Sequence, residues 1–303
     1  MPEETRSHAQ PAYGGYLLVA AAAALWATSG PISRVLYAEG VTPLELAFWR
    51  TAAASVLFIA RLKFTEQPTD GRVTVRDLPA LVLFGAFGIG AFMVSLAYAI
   101  ETGGINLAVI LLYTSPAFVA LGARVWYREL LTLQKTSLIT LTMLGVILIA
   151  TGGGRGINVT AVSLFWGFAA SLTYAAYYLV GKWATARYSP LRILAYVFPV
   201  AALAILPFVE FGGYSPSALI WLAVLSIATT YLPYLLYYRG LVEVEISRAV
   251  VVATVEPVIA AVFAAVFFAE FYSLQALVGA VLVVVAAVRS ASAESPQAQI
   301  KRA

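Results

Sequence analysis

Two stretches decide the architecture of this chain: INLAVILLYTSPAFVALGARVWYRELLTLQ at residues 105–134 and ISRAVVVATVEPVIAAVFAAVFFAEFYSLQ at residues 246–275. Laid on each other at a shift of 141 residues, Ile105, Ala108 and Val109 meet Ile246, Ala249 and Val250. Pro116 meets Pro257, Ala120 and Ala123 meet Ala261 and Ala264, Glu129 meets Glu270, and Leu133-Gln134 meets Leu274-Gln275. Apolar segments share Ala, Val and Leu by composition alone. A proline, a glutamate and a Leu-Gln pair kept at one offset are not explained that way. Earlier in each half, Leu25-Trp26-Ala27 parallels Phe165-Trp166-Gly167, and Thr42-Pro43-Leu44 parallels Ser189-Pro190-Leu191. The chain is therefore expected to be a duplication.

Working outward, the 303 residues are 61% hydrophobic and only 11% charged, where a soluble domain carries roughly 25% charged residues. So few charges cannot cover a water-exposed surface, but they suit one that faces lipid. A helix of ~20 apolar residues crosses the hydrocarbon core, and ten such runs are read at about 14–36, 43–62, 78–100, 104–126, 134–152, 159–181, 190–209, 215–238, 246–268 and 273–289. Gly103-Gly104 and Glu270-Phe271-Tyr272 are the shortest links and force antiparallel neighbours, whereas Lys63 to Asp77 is a solvated loop. The first run is too long for a secretory signal core and is read as a retained helix.

Lys and Arg set the orientation. With a cytoplasmic amino terminus, the inner loops and tails collect Arg6, Arg61, Lys63, Arg72, Arg76, Arg124, Arg128, Lys135, Lys182, Arg187, Arg192, Arg239, Arg248, Arg289, Lys301 and Arg302, and the outer ones only Arg34 and Arg155. Both termini are expected in the cytoplasm. Five helices per half is an odd number, so the second half begins on the opposite side of the membrane. The expected fold is an all-α polytopic membrane protein with ten transmembrane helices as two inverted five-helix repeats. Its parts are an N-terminal tail at 1–13, a first repeat at 14–152, a linker at 153–158, a second repeat at 159–289 and a C-terminal tail at 290–303. Inverted repeats allow inward- and outward-open states of similar energy, as in secondary transporters.

Composition also narrows the chemistry. There is no cysteine, and the only histidine, His8, lies in the polar tail. Thiol chemistry is excluded, and no imidazole sits at membrane depth to serve as base, relay or metal ligand. No phosphate-cradling G-x-x-x-x-G-K-[ST] loop occurs, since Gly152-Gly153-Gly154 lacks the following Lys. No catalytic role, metal or cofactor is expected. The formal charge of +4 sits at the ends of apolar runs, as topology signals do, so no nucleic-acid partner is expected; the partners are a small-molecule substrate and the lipid bilayer.

With Tyr113-Thr114-Ser115-Pro116-Ala117-Phe118 followed by Trp126-Tyr127-Arg128-Glu129, and the echo Glu256-Pro257-Val258-Ile259 and Phe267-Phe268-Ala269-Glu270, the chain resembles the drug/metabolite transporter superfamily in its EamA-type branch. The resemblance covers nearly all of 14–289, and within the branch the chain is similar to YddG-like aromatic amino-acid exporters. It implies a multi-pass protein of the inner (cytoplasmic) membrane with a central cavity lined by helices one, three, four, six, eight and nine, the fifth and tenth being peripheral. It implies export of small amphipathic metabolites, amino acids including aromatic ones, by alternating access. A multidrug or organic-cation exporter on the same scaffold is the alternative.

Charged groups at membrane depth cost roughly 2.5–3.5 kcal/mol each on insertion scales. Glu256, directly before Pro257 in the ninth run, is the sharpest candidate. Proline removes a backbone donor and opens the local backbone, and a carboxylate there can bind an ammonium or take up a proton; its bland alternative is a neutral acid hydrogen-bonded to a neighbouring helix. Arg50, with Glu45 five residues earlier, reads as an internal ion pair or a snorkelling side chain, and Glu129 and Glu270 as helix-end caps. Aromatic rings beside small or hydroxyl residues suit an amphipathic solute. The candidate substrate-binding set is Trp26, Ser29, Ser95, Tyr98, Tyr113, Trp166, Tyr174, Tyr177, Tyr231, Tyr234 and Glu256. Interfacial belts are the competing explanation for rings near helix ends, such as Tyr98, Tyr238 and Trp126. Pro116 and Pro257 are candidate hinges, and Gly85, Gly88 and Gly90 are read as packing positions.

Overall fold

A computed structural model describes residues 13–65, 73–152, 158–268 and 273–292. Arg155, Glu270 and residues 1–12 and 293–303 of the tails lie outside the described residues. The helices are α1 (Tyr13–Ala27), α2 (Ser29–Ala38), α3 (Pro43–Thr65), α4 (Leu78–Leu83), α5 (Phe92–Gly103), α6 (Ile105–Leu112), α7 (Ser115–Trp126) and α8 (Leu133–Gly152). They continue as α9 (Ala161–Thr185), α10 (Pro190–Ile205), α11 (Pro216–Ser226), α12 (Leu232–Glu243), α13 (Ile246–Ala253), α14 (Glu256–Phe268) and α15 (Leu274–Ser292). No strand occurs among the described residues. The chain is thus an all-α polytopic membrane protein: among the described residues, eight helical runs are long and apolar enough to cross a bilayer. The run Leu78–Leu112 is interrupted at Gly104, where φ of 80° is open to glycine and ends α5. The 25 residues of α9 are long enough to cross but carry more Tyr, Trp, Ser and Thr.

Sequence chemistry explains the starts of several helices. Thr42-Pro43-Leu44-Glu45 is a capping box: the Glu45 amide donates to Thr42 Oγ1 at 3.2 Å and the Thr42 amide to Glu45 Oε2 at 2.7 Å. Thr160 and Ser163 cap α9 in the same reciprocal way. Pro190 and Pro216 occupy first turns, where the missing N–H is no loss.

Packing joins the two halves throughout. α1 lies on α12, α3 on α10, α5 on α9, α7 on α13 and α8 on α15. Small residues set the closest approaches, as expected. A Cβ on Gly145 would lie 2.7 Å from the Gly279 carbonyl, and one on Gly279 would lie 2.5 Å from that of Gly145. On Gly85 it would meet the Val197 carbonyl at 2.6 Å. Gly85 belongs to a π-helical stretch, Phe84–Ala91, and a second one, Ile227–Tyr231, joins α11 to α12. The two overlap at the 141-residue offset. Each wide turn leaves backbone carbonyls less well paired, a recurrent property of functional segments.

Candidate functional site

Three helices are broken at mid-depth, each by the same chemistry. α1 gives way to α2 at Thr28, α6 to α7 at Tyr113-Thr114, and α13 to α14 at Thr254-Val255. At every break a threonine hydroxyl donates back three residues: Thr28 to the Leu25 carbonyl at 2.7 Å, Thr114 to that of Leu111 at 2.7 Å, and Thr254 to that of Val251 at 2.5 Å. A proline follows within three residues, at Pro31, Pro116 and Pro257, and cannot donate to the carbonyl four residues before it. Leu112 loses its partner in this way and takes the Ser171 hydroxyl of α9 at 3.4 Å, while Ser171 also meets Thr114 at 2.8 Å. Broken backbone survives at membrane depth only where protein or a water-filled cavity satisfies it. Pro116 and Pro257 therefore do not kink continuous helices; they begin new ones.

Glu256 opens α14 beside this break. Its carboxyl is in hydrogen-bonding contact with the Tyr113 hydroxyl from the α6–α7 break, and it lies within Coulombic reach of Arg50, Tyr174, Tyr178 and Tyr234. The Arg50 side chain makes no pair with Glu45. Its Nε donates to Thr230 Oγ1 at 2.8 Å and its Nη2 to the Thr229 carbonyl at 2.8 Å, both in the π-helical stretch before α12. Glu45 turns instead to the opposite loop, accepting from the Gly212 amide at 2.8 Å and the Tyr214 hydroxyl at 2.7 Å. Arg50 and Glu256 are both half-buried. Near the first break, a Cβ on Gly30 would meet nothing within 4 Å, so open space adjoins α2.

The aromatic residues divide into an accessible and a sealed group. Tyr98 and Trp166 stack at 4.8 Å between ring centroids and stay half-buried, as does Ser29, whereas Ser95 is buried. Deeper, Tyr174 stacks on Phe92 at 4.6 Å, faces Tyr177 at 5.6 Å and accepts from the Tyr178 hydroxyl at 2.9 Å. Trp26 packs on Tyr234 and on Tyr237, each at 5.5 Å. Tyr177, Tyr178, Tyr237 and Tyr238 are at most 1% exposed. In this plug, the Tyr237 hydroxyl finds no hydrogen-bond partner among the described residues. Tyr231 does not join it. The π turn inserts an extra residue and breaks the 3.6-residue spacing. Tyr231 then lies against Phe58 at 5.0 Å, with Arg61 Nη1 donating to its hydroxyl at 3.2 Å.

Beyond the plug, at the end of the bundle where α1 begins, a buried polar network closes the centre. Lys135 Nζ lies 3.3 Å from Glu129 and 3.1 Å from Glu245, and Arg248 Nε lies 3.0 Å from Glu245. Glu129 accepts from the Ile246 amide at 3.2 Å and from the Ser247 hydroxyl. It caps the N-terminus of α13, a helix from the other half, where a negative charge is favoured. Arg128, at φ of 55°, turns the chain so that the Glu129 amide reaches the Ala123 carbonyl at 3.1 Å. Beside it the Tyr127 hydroxyl donates to the Leu179 carbonyl at 2.5 Å, and burial pushes that phenol up to about 12. Lys182 Nζ donates to the Leu241 and Val244 carbonyls at 2.5 and 2.7 Å. Sequence reasoning singled out Glu256, Tyr113 and the prolines, which the structure brings to the breaks, and gave neither Arg50's placement nor this network. The Thr-then-Pro pattern at Thr28 and Pro31 was a readable signal for the third break.

The EamA-like transporter family matches this chain twice, over residues 13–151 and 161–290. An uncharacterized transporter of Archaeoglobus fulgidus is 26% identical over 69% of this chain and 74% of its own length. A probable terminal-alkyne amino-acid exporter of Streptantibioticus cattleyicolor is 27% identical over 60% of this chain and 59% of its own. A solved crystal structure superposes with a TM-score of 0.78 at 16% identity, covering 94% of this chain and 98% of that one, which is a likeness of fold. With the family covering nearly the whole chain, the protein belongs to the EamA-like transporter family.

Proposed function

We propose that this transporter exports small amphipathic metabolites, amino acids including aromatic ones, across a bacterial inner membrane by alternating access. Ten spans form two inverted repeats, with both termini in the cytoplasm. The pairing of helices supports that reading. α1 on α12 and α5 on α9 exchange places when the halves are swapped, while α3 on α10 and α8 on α15 map onto themselves. On this orientation the Glu129 network closes the cytoplasmic end, and the accessible side near Gly30 faces outward.

One observation carries the proposal: beside three broken helices, Glu256 of α14, Arg50 of α3 and aromatic rings gather at mid-depth, half-buried on one side and plugged on the other. Substrate sites of secondary transporters are built at such discontinuities. Rings supply apolar contact, hydroxyls supply polarity, and Pro116 and Pro257 begin the half-helices that would tilt between states. The relative described as an amino-acid exporter points to the same cargo. Glu256 beside tyrosines would also attract a lipophilic cation, which keeps an organic-cation exporter as the second reading.

Proteoliposomes loaded with unlabelled amino acids test it. Exchange with labelled phenylalanine, tyrosine, leucine or lysine outside, with and without a pH gradient, is expected to exceed that of empty vesicles for the aromatic members. Exchange of lipophilic cations alone would replace this function with the second reading.

A further inference from the structure

We infer that Arg50 and Glu256 are the two poles of a zwitterion site, Arg50 receiving a carboxylate and Glu256 an ammonium. The inference rests on the exporter reading above and narrows its cargo to solutes bearing both charges.

The two side chains are within Coulombic reach, both are half-buried, and neither is the other's hydrogen-bonding partner. Opposite charges at membrane depth normally close on each other, because each alone is costly there. Here each is held back by its own side of the site. Arg50 is tied through Nε and Nη2 to Thr230 and Thr229 in the π-helical stretch, which leaves Nη1 without a hydrogen bond among the described residues. Glu256 is tied by Tyr113, which donates one hydrogen bond to a carboxylate that accepts several. A guanidinium edge and a carboxylate lone pair thus remain in a space that already holds aromatic rings.

The geometry selects by charge. A carboxylate meets the planar fork of an arginine in a strong charge-assisted contact, and an ammonium meets the Glu256 carboxylate. Held apart before binding, the poles need little rearrangement, which favours affinity. A lipophilic cation would satisfy Glu256 and leave Arg50 facing a solute with nothing to offer it. An organic anion would do the reverse. Buried polar groups left unpaired by the wrong solute give strong discrimination.

The test uses the full-length chain in proteoliposomes and three probes that share one ring: phenylalanine, phenethylamine and 3-phenylpropionate, each competing against labelled phenylalanine. In the wild type each single-charge probe is expected to compete at least about ten-fold more weakly than phenylalanine. Arg50→Gln should erase the difference between phenylalanine and phenethylamine while keeping that between phenylalanine and 3-phenylpropionate, and Glu256→Gln should do the opposite. Arg50 also braces the π-helical stretch, so its variant is read by these ratios, and the wild-type comparison needs no variant. Equal competition by phenethylamine and phenylalanine in the wild type overturns the inference, as does an equal loss of all three probes in Arg50→Gln. If amino acids exchange but the ratios stay flat, only the zwitterion site falls; if no amino acid exchanges, the exporter reading falls with it.

Discussion

Glu129→Gln isolates what the buried network does. The Glu129 carboxylate engages Lys135 at 3.3 Å, the Ile246 amide at 3.2 Å and the Ser247 hydroxyl. A hydrogen bond to a charged group contributes about 1.5–3 kcal/mol and a neutral one about 1. An amide of the same shape therefore weakens the three contacts by about 3 kcal/mol in total. Lys135 keeps Glu245 at 3.1 Å, so no cation is stranded and the loss stays near that figure. If these contacts exist only while the cytoplasmic end is shut, the same energy is removed from the shut state alone, and the fraction open at that end rises about a hundredfold. The chain has no cysteine, so Ala249→Cys in α13, fully buried in this state, supplies a unique thiol. Its labelling by a maleimide in inverted vesicles should accelerate about a hundredfold when Glu129→Gln is added. Unchanged labelling together with a lowered melting temperature would show the network to be a plain structural brace and refute the reasoning.

Three further outcomes are expected. Gly145→Leu should separate α8 from α15 and lower stability by about 1–3 kcal/mol, read as melting in detergent, while Leu144→Ala on the exposed face should change it by no more than about 0.5 kcal/mol. Trp166→Ala removes the ring stacked on Tyr98 and should lower the exchange of phenylalanine relative to leucine about two- to ten-fold, from a ring-contact contribution of about 0.5–1.5 kcal/mol; an unchanged ratio would place Trp166 outside the cargo's path. Tyr127 holds its proton more tightly folded than unfolded, with a folded value of about 12 against about 10 in the unfolded chain. Its contribution is therefore complete below about pH 10 and is lost as pH rises toward about 12. Tyr127→Phe should flatten that part of the stability–pH curve.

The fold was legible because lipid simplifies the problem: a span must be an apolar helix, and all ten of the run starts expected between residues 14 and 273 fall within two residues of a helix start. The prolines located the breaks, since Pro116 and Pro257 remove a backbone donor wherever they fall. What a linear pattern could not give was partnership across the halves. Arg50 and Glu45 are neighbours in sequence, and an ion pair between them was the natural expectation. In space one reaches Thr229 and the other Tyr214, residues far along the chain that no periodicity connects to them. Tyr231 shows the same limit locally, because a π turn shifts it out of register with Tyr234, beside which it stood in the candidate set. Glu129 was read as a helix-end cap, and it is one, but for a helix in the opposite half.

The network around Glu129 also breaks the molecule's internal symmetry. At the 141-residue offset, Lys135, Glu245 and Arg248 correspond to Ala276, Gly104 and Leu107, so the duplicated positions do not repeat these three charges. An empty carrier with one latched mouth idles in a single posture. On the proposed orientation, a latch worth about 3 kcal/mol on one mouth alone would leave roughly one empty molecule in a hundred open to the cytoplasm, and half-saturation from that side would rise by the same factor. On that proposal the carrier would respond to a surfeit of its cargo, and a handful of ionic contacts would act as a relief valve's set point.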